Sequence, residues 1–262
     1  MNESIAGGKS MLYHERESFV LQQLQLQSTV KVSELSRQLH VSVDTVRRDL
    51  KAMEQNGLIR CVRGGACLPE AQMLFSDFSE REIIHSDLKR EAAHKALAYI
   101  KGNDVIALNS GTTNTIMAQE LAASGIQCTV VTNNCAAVQV LMQAPNIRTV
   151  VIGGLLDAKE RSTYGAQCEQ EFARFRPDVA FLSINSLNYR DGFTDFRMNE
   201  MGIIRSLAEH GRKVIAVMDS SKLGRCSKCT VLSARQVDFI LMDDRIPPEI
   251  REKYAKKGFT IL

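Results

Sequence analysis

The chain has 262 residues, 44% hydrophobic and 24% charged, with a net charge of +3. It is longer than an ordinary single domain, and its composition suits a globular protein with a sizeable core. The small net charge excludes a uniformly basic chain, so any nucleic-acid contact has to rest on a local patch.

Residues 1–10, MNESIAGGKS, are polar and small and are expected to be disordered. They lack the apolar core of a signal peptide, and no apolar run in the chain reaches the length of a membrane span. The seven cysteines are irregularly spaced, as reduced thiols would be. A cytoplasmic protein with no membrane partner is therefore expected. From Met11 to Gln27, Leu12, Phe19, Val20, Leu24 and Leu26 fall near helical spacing. Residues 30–32 are short and β-branched at both ends. Ser33 is expected to cap a second helix running through His40, with Leu35 and Leu39 on its buried face. Val41 and Ser42 form a turn, and Ser42 can cap a third helix whose apolar stripe is Val43, Val46, Leu50 and Met53. Asn56-Gly57 ends that helix as a left-handed cap. Leu58 to Leu68 reads as a hairpin turning at Arg63-Gly64-Gly65-Ala66. Residues 11–68 thus form one domain, and residues 69–86, without a clear period, read as a linker.

From Asp87 the texture changes. Apolar β-rich runs at 104–108, 128–132, 148–153, 178–184, 213–218, 238–242 and 259–262 alternate with helical patterns at 88–101, 113–124, 135–143, 167–176, 197–209 and 248–257. Such alternation predicts a doubly wound, parallel α/β domain over residues 87–262.

The order helix, tight turn, helix, hairpin describes a winged helix-turn-helix, a shape that enters a DNA major groove through the start of its second helix. That places Ser42, Thr45, Arg47 and Arg48 toward base edges, with Lys51 beside them. An arginine can donate a bidentate pair to guanine, and hydroxyls suit phosphates or base edges. Arg60 and Arg63 on the hairpin could grip the flanking backbone. Over residues 42–63 five Lys/Arg face three Asp/Glu. Asp49 is expected to pair with an arginine or a backbone group rather than meet a phosphate.

The string SVDTVRRDLKAMEQNGLIRCVRGGACL resembles the signature of the DeoR family of bacterial transcriptional regulators: S-x-x-T-[IV]-R-R-D-L, then L-x-x-x-G, then a wing ending in H-G-G-A. Ser42, Thr45 to Leu50, Gly57 and Gly64 to Ala66 match in place, whereas Arg63 replaces the wing histidine. The resemblance implies binding to double-stranded operator DNA. Paired heads reading paired half-sites would require a homo-oligomer, a dimer or tetramer.

Three turns in the second domain carry glycines, hydroxyls or a cation where strands are predicted to end. They are Asn109-Ser110-Gly111-Thr112-Thr113-Asn114, Thr132-Asn133-Asn134, and Asp219-Ser220-Ser221-Lys222. Backbone N–H groups at a strand–turn–helix junction suit a phosphate, and carboxyl ends of strands are where open α/β sheets bind ligands. The same turns match the DeoR sensor pattern D-S-G-T-T, V-T-N, G-G and D-S-S-K-F-G-R, which here reads NSGTTN, VTNN, Gly153-Gly154 and DSSKLGR. The resemblance implies a sensor similar in fold to ribose-5-phosphate isomerase, which takes a small phosphorylated sugar as effector. Asn109 stands where the family has aspartate, residues 183–187 replace G-x-D-G-[IV], and residues 200–204 keep only Glu200 of E-A-E-V-K. These departures imply either an unusual sugar end on the effector or a weakened sensor.

The reading is a transcriptional regulator, a repressor of a carbohydrate operon modulated by a phosphorylated sugar. A sugar-phosphate isomerase with an accessory DNA-binding domain is the alternative, with Glu200 and Lys222 as its remaining candidates for acid–base work. Cys226-x-x-Cys229 lacks a second pair at zinc-ligand spacing, so no metal or other cofactor is expected.

Overall fold

A computed structural model describes residues 11–27, 29–62, 64–67 and 78–262, with the side chains of 25–27, 29, 62 and 67 excepted. Residues 1–10, Ser28, Arg63, Leu68 and positions 69–77 of the expected linker lie outside the described residues. The chain divides into two units, residues 1–76 and 77–262.

In the first unit, α1 (Tyr13–Gln27), α2 (Val32–Leu39) and α3 (Val43–Gln55) bury one core. Val20, Leu24, Leu35, Leu39, Val46, Leu50 and Met53 meet in it. Each buried aliphatic side chain of this kind contributes about 1.5–3 kcal/mol. Ser42 caps α3, its Oγ accepting the Thr45 N–H at 3.1 Å. Beyond α3, Gly57 takes φ +72°. The Gly57 and Leu58 N–H groups close a Schellman motif on the Glu54 and Met53 carbonyls at 2.9 and 3.0 Å.

Three expectations need correction. Ser33 does not cap α2: the helix begins at Val32, whose N–H bonds the Gly64 carbonyl at 2.9 Å. Val43 is not on the buried stripe but 37% exposed. It opens α3, three residues before the first buried position, Val46. The hairpin of β2 (Arg60–Val62) and β3 (Gly65–Cys67) gains a third strand, β1 (Thr29–Lys31), antiparallel to β3. Gly65 permits that pairing, since a Cβ there would lie 1.9 Å from the Val30 carbonyl oxygen.

The second unit begins inside the expected linker. Helix α4 (Phe78–Ile83) buries Phe78 and Arg81, and α5 (Ser86–Ala96) follows directly. The parallel sheet then builds from β4 (Val105–Leu108), α6 (Thr112–Ser124), β5 (Cys128–Thr132), α7 (Cys135–Leu141) and β6 (Ile147–Val151). A hairpin, β7 (Leu155–Asp157) with β8 (Ser162–Tyr164), precedes α8 (Ala166–Phe172) and β9 (Val179–Leu182). Next come β10 (Ser186–Asn188), β11 (Gly192–Asp195), α9 (Met201–His210), β12 (Val214–Val217), β13 (Cys229–Leu232), β14 (Phe239–Leu241) and α10 (Pro248–Ala255). Strands β10, β11 and β13 form a separate small sheet. Neither it nor the β7–β8 hairpin was expected.

The main sheet runs β14-β12-β9-β4-β5-β6, every pair parallel. Both faces are apolar. Ile106, Leu108, Val130, Phe181, Ile215 and Val217 pack under α5, α6 and α7. Their neighbours Ala107, Val131, Ala180, Leu182, Val214 and Ala216 pack with α8, α9 and α10. Alternate residues serving opposite helix layers are the signature of a doubly wound sheet. The chain leaves the sheet centre one way from β4 and the other way from β9. Between those strands lies the topological switch point, where ligands bind this architecture.

Candidate functional site

In the first unit the side chains expected to meet DNA are outward. Arg47, Arg48, Lys51 and Arg60 are exposed, as is Ser42, while Thr45 is half-buried. Ser42 and Thr45 share a hydrogen bond of 2.8 Å between their hydroxyls at the start of α3. Arg47 pairs loosely with Asp44 at 3.4 Å, both largely exposed. Arg63 lies outside the described residues. The exposed Val43 at the tip of α3 was missed as a surface group, and it is of the kind that meets a thymine methyl. Asp49, which follows Arg47 and Arg48 and precedes Leu50, turns inward and pairs with Arg16 of α1. Its carboxylate is therefore directed away from the exposed arginines.

In the second unit a narrow cavity opens at the switch point. After β4 it is lined by Gly111, Thr112 and Thr113, and after β9 by Ser183, Ile184 and Asn185. Arg81, Lys89, Arg197 and Lys222 complete it. Gly111 takes φ +132°, and a Cβ on it would lie 2.5 Å from Ser183 Oγ. Being glycine, it offers no side-chain cap to α6, a 13-residue helix whose first residues, Thr112 and Thr113, line the cavity.

Several residues expected to touch an effector stand behind this lining and hold it. Asn109 joins the two strand tips: its Nδ2 donates to the Ser183 carbonyl at 3.0 Å and its Oδ1 accepts the Ser183 N–H at 2.8 Å. Aspartate could not make the first of these bonds. Thr132 donates to the Leu108 carbonyl at 2.7 Å. Asn133 donates to Glu200 Oε1 at 2.9 Å and to the Thr163 carbonyl at 2.8 Å. Glu200 is fully buried, and burial pushes its carboxyl up against the opposing pull of Arg197. Gly153 and Gly154 do not line the cavity. Gly154 instead lets the chain pass β8, where a Cβ would lie 2.5 Å from the Tyr164 carbonyl oxygen. Of the expected effector residues, Gly111, Thr112, Thr113 and Lys222 line the cavity, and Ser110 touches it through Arg197.

The cations were the larger omission. Arg197 is buried, and its donors go to the protein: Nε and Nη2 to Asp195 at 3.0 and 2.7 Å, Nη2 to the Ser183 carbonyl, and Nη1 to the Ser110 carbonyl and Oγ. It braces both strand tips and supplies charge rather than spare hydrogen bonds. Burial works against the Asp195 carboxylate, but Arg197 holds it below the usual range. Lys89 is 2% exposed and donates to the Arg81 and Ile84 carbonyls, which leaves one of its three N–H groups. Burial pushes its ammonium down to about 8. Burial also lowers Lys222, against the pull of Asp219. The site is thus a cluster of desolvated cations and uncapped helix N–H groups, with no carboxylate among the described lining residues. That charge suits a compact anion such as a phosphate. Among the described residues no group of three or more His, Cys, Asp or Glu converges as a metal site would.

A winged helix-turn-helix unit followed by a doubly wound α/β unit is the architecture of a transcriptional regulator. The family model described as the DeoR-like helix-turn-helix domain matches residues 16–72, and that described as the DeoR C terminal sensor domain matches residues 84–244. The chain belongs to the DeoR family of transcriptional regulators. It is 29% identical over 251 residues to the HTH-type transcriptional regulator GolR of Listeria innocua, covering 96% of this chain and 98% of that one. It is 28% identical over 250 residues to the putative aga operon transcriptional repressor of Escherichia coli O157:H7, covering 95% and 93%. Ribose 5 phosphate isomerase A from Neisseria gonorrhoeae aligns with a TM-score of 0.38 and 18% identity over 55% of this chain and 54% of that one. Both of these relatives are named as regulators, and the isomerase alternative is set aside. No helix among the described residues is long and apolar enough to cross a membrane.

Proposed function

We propose that this regulator represses a carbohydrate operon and that a small phosphorylated sugar, seated in the cavity between β4 and β9, modulates its hold on DNA. The observation that carries the sensor half is the convergence of Lys89, Lys222 and the uncapped start of α6 on one cavity at the switch point. The phosphate lies against Gly111, Thr112 and Thr113, and Asn185 with Ser183 is left for the sugar end. On the DNA side, Arg47 and Arg48 read base edges with Ser42, Thr45 and Lys51 beside them, while Arg60 and Arg63 grip the flanking backbone. Two heads of a homo-oligomer read paired half-sites.

The name of the aga operon relative supports repression of an operon. Mapping of bound sites across the genome tests the DNA half, with enrichment upstream of carbohydrate genes expected. Calorimetric titration with a panel of sugar phosphates tests the sensor half. Diffuse genomic binding, or no heat from any phosphorylated sugar, contradicts the respective half.

A further inference from the structure

Two of the cations that line the cavity also hold α4 in place. Arg81, within α4, donates from Nη1 and Nη2 to the Glu160 carboxylate at 3.2 and 2.5 Å. Its guanidinium also lies 5.2 Å from the centroid of the Phe196 ring. Lys89, from α5, takes the Arg81 carbonyl at 2.5 Å and the Ile84 carbonyl as acceptors. At the other end of α4, Phe78 is buried with the Arg161 guanidinium 5.0 Å from its ring centroid, and Arg161 reaches Ser79 Oγ at 3.1 Å. A six-residue helix has no stability of its own in water. These contacts, Phe78 burial among them, are what keep α4 formed.

A phosphate in the cavity faces the same Arg81 and Lys89. It carries up to two charges and three acceptor oxygens, so it is a stronger partner for a guanidinium than a carboxylate is. We infer that an anion entering the cavity competes with Glu160 for Arg81 and with the Arg81 and Ile84 carbonyls for Lys89, so that sensor occupancy loosens α4. In sequence α4 is the first described helix after the DNA-reading unit, joined to it by residues 68–77. A change in α4 therefore reaches the segment that tethers the head. The inference rests on the sensor reading and adds the route by which occupancy is felt.

Hydrogen–deuterium exchange and calorimetry on the full-length protein, with inorganic phosphate as the probe, test it. Phosphate should speed amide exchange across residues 78–85 of the wild type. Glu160→Gln should show faster exchange there without phosphate and should bind phosphate about three- to tenfold more tightly, because Arg81 no longer has a charged competitor. Phosphate binding that leaves exchange at 78–85 unchanged overturns the inference, as does equal or weaker phosphate binding by Glu160→Gln. If that variant does not fold, the wild-type exchange alone decides. An absence of heat in the wild type overturns instead the reading of the cavity as an anion site.

Discussion

Arg16 of α1 and Asp49 of α3 form a bidentate ion pair in the DNA-reading unit, with Nε–Oδ2 at 2.7 Å and Nη2–Oδ1 at 3.0 Å. Their side chains are only 12% and 9% exposed. The pair fixes the roll of α3 about its own axis. Val46, Leu50 and Met53 stay in the core, and Arg47 and Arg48 on either side of that stripe face outward. A carboxylate within an Arg-Arg-Asp run therefore serves the fold of the head.

Removing one partner of this partly buried pair leaves the other charge unpaired, so Asp49→Ala should destabilise the head by about 1–3 kcal/mol. Replacing both partners by leucine should recover much of that loss. Chemical denaturation followed by circular dichroism checks both, and a neutral Asp49→Ala would show that the pair does not hold α3.

The exposed arginines of α3 and of the wing should behave differently. Arg47→Ala or Arg48→Ala should cost about 1–3 kcal/mol of discrimination between the recovered site and a scrambled duplex, if that arginine is bidentate to guanine. Arg60→Ala should weaken both duplexes alike and reduce the salt dependence by about one counterion. Anisotropy titrations at several salt concentrations separate the two behaviours. Unchanged selectivity in both α3 variants would remove the assigned groove contacts.

Gly111→Ala should weaken anion binding while leaving DNA binding in place. The added methyl meets Ser183 Oγ at 2.5 Å and Ser183 Cβ at 3.0 Å, at a backbone angle that side chains rarely adopt. Phosphate titration should show at least about a tenfold loss, or about 1.4 kcal/mol. Affinity equal to that of the wild type would place the anion elsewhere.

The pH dependence should follow Lys89, whose ammonium titrates near 8 in the folded protein rather than at its ordinary 10.5. Between those values the unfolded chain binds the extra proton, so this group makes folding more favourable as pH rises through that window. Anion affinity runs the other way. A phosphate ester is already doubly charged there, and the cavity loses a positive charge as pH rises through about 8. Calorimetry across that range should show the affinity fall, and Lys89→Met should remove the step. A wild-type affinity flat across the range would contradict the role given to Lys89.

Local pattern made much of this molecule legible in advance. The stripe of Val46, Leu50 and Met53 follows helical period, and the parallel strands read as apolar runs because helices cover both faces. The turn at Gly111 was visible because strand, glycine, hydroxyls and helix are contiguous. What sequence hid is long-range. Arg197 meets Ser110 across 87 positions, and Arg81 meets Glu160 across 79. Before folding, each looks like any solvated charge. Asn109 and Glu200 were assigned to the effector because of where they stand in a motif. Folding turns them inward, where they brace the strand tips and the turn after β5. Val32 opens α2 in place of Ser33 because the acceptor of its N–H is Gly64, in the wing.

In the proposed reading, an anion held by the cavity governs how the outward face of α3 is used. The most direct measurement is an anisotropy titration of a duplex carrying the recovered genomic site, with and without the sugar phosphate that binds most tightly. It compares the wild type with Lys222→Met. The account predicts that the effector shifts wild-type affinity for the site by at least about tenfold. Lys222→Met should bind the duplex normally and ignore the effector. A wild type indifferent to every phosphorylated sugar, or a Lys222→Met variant that responds as the wild type does, would contradict it.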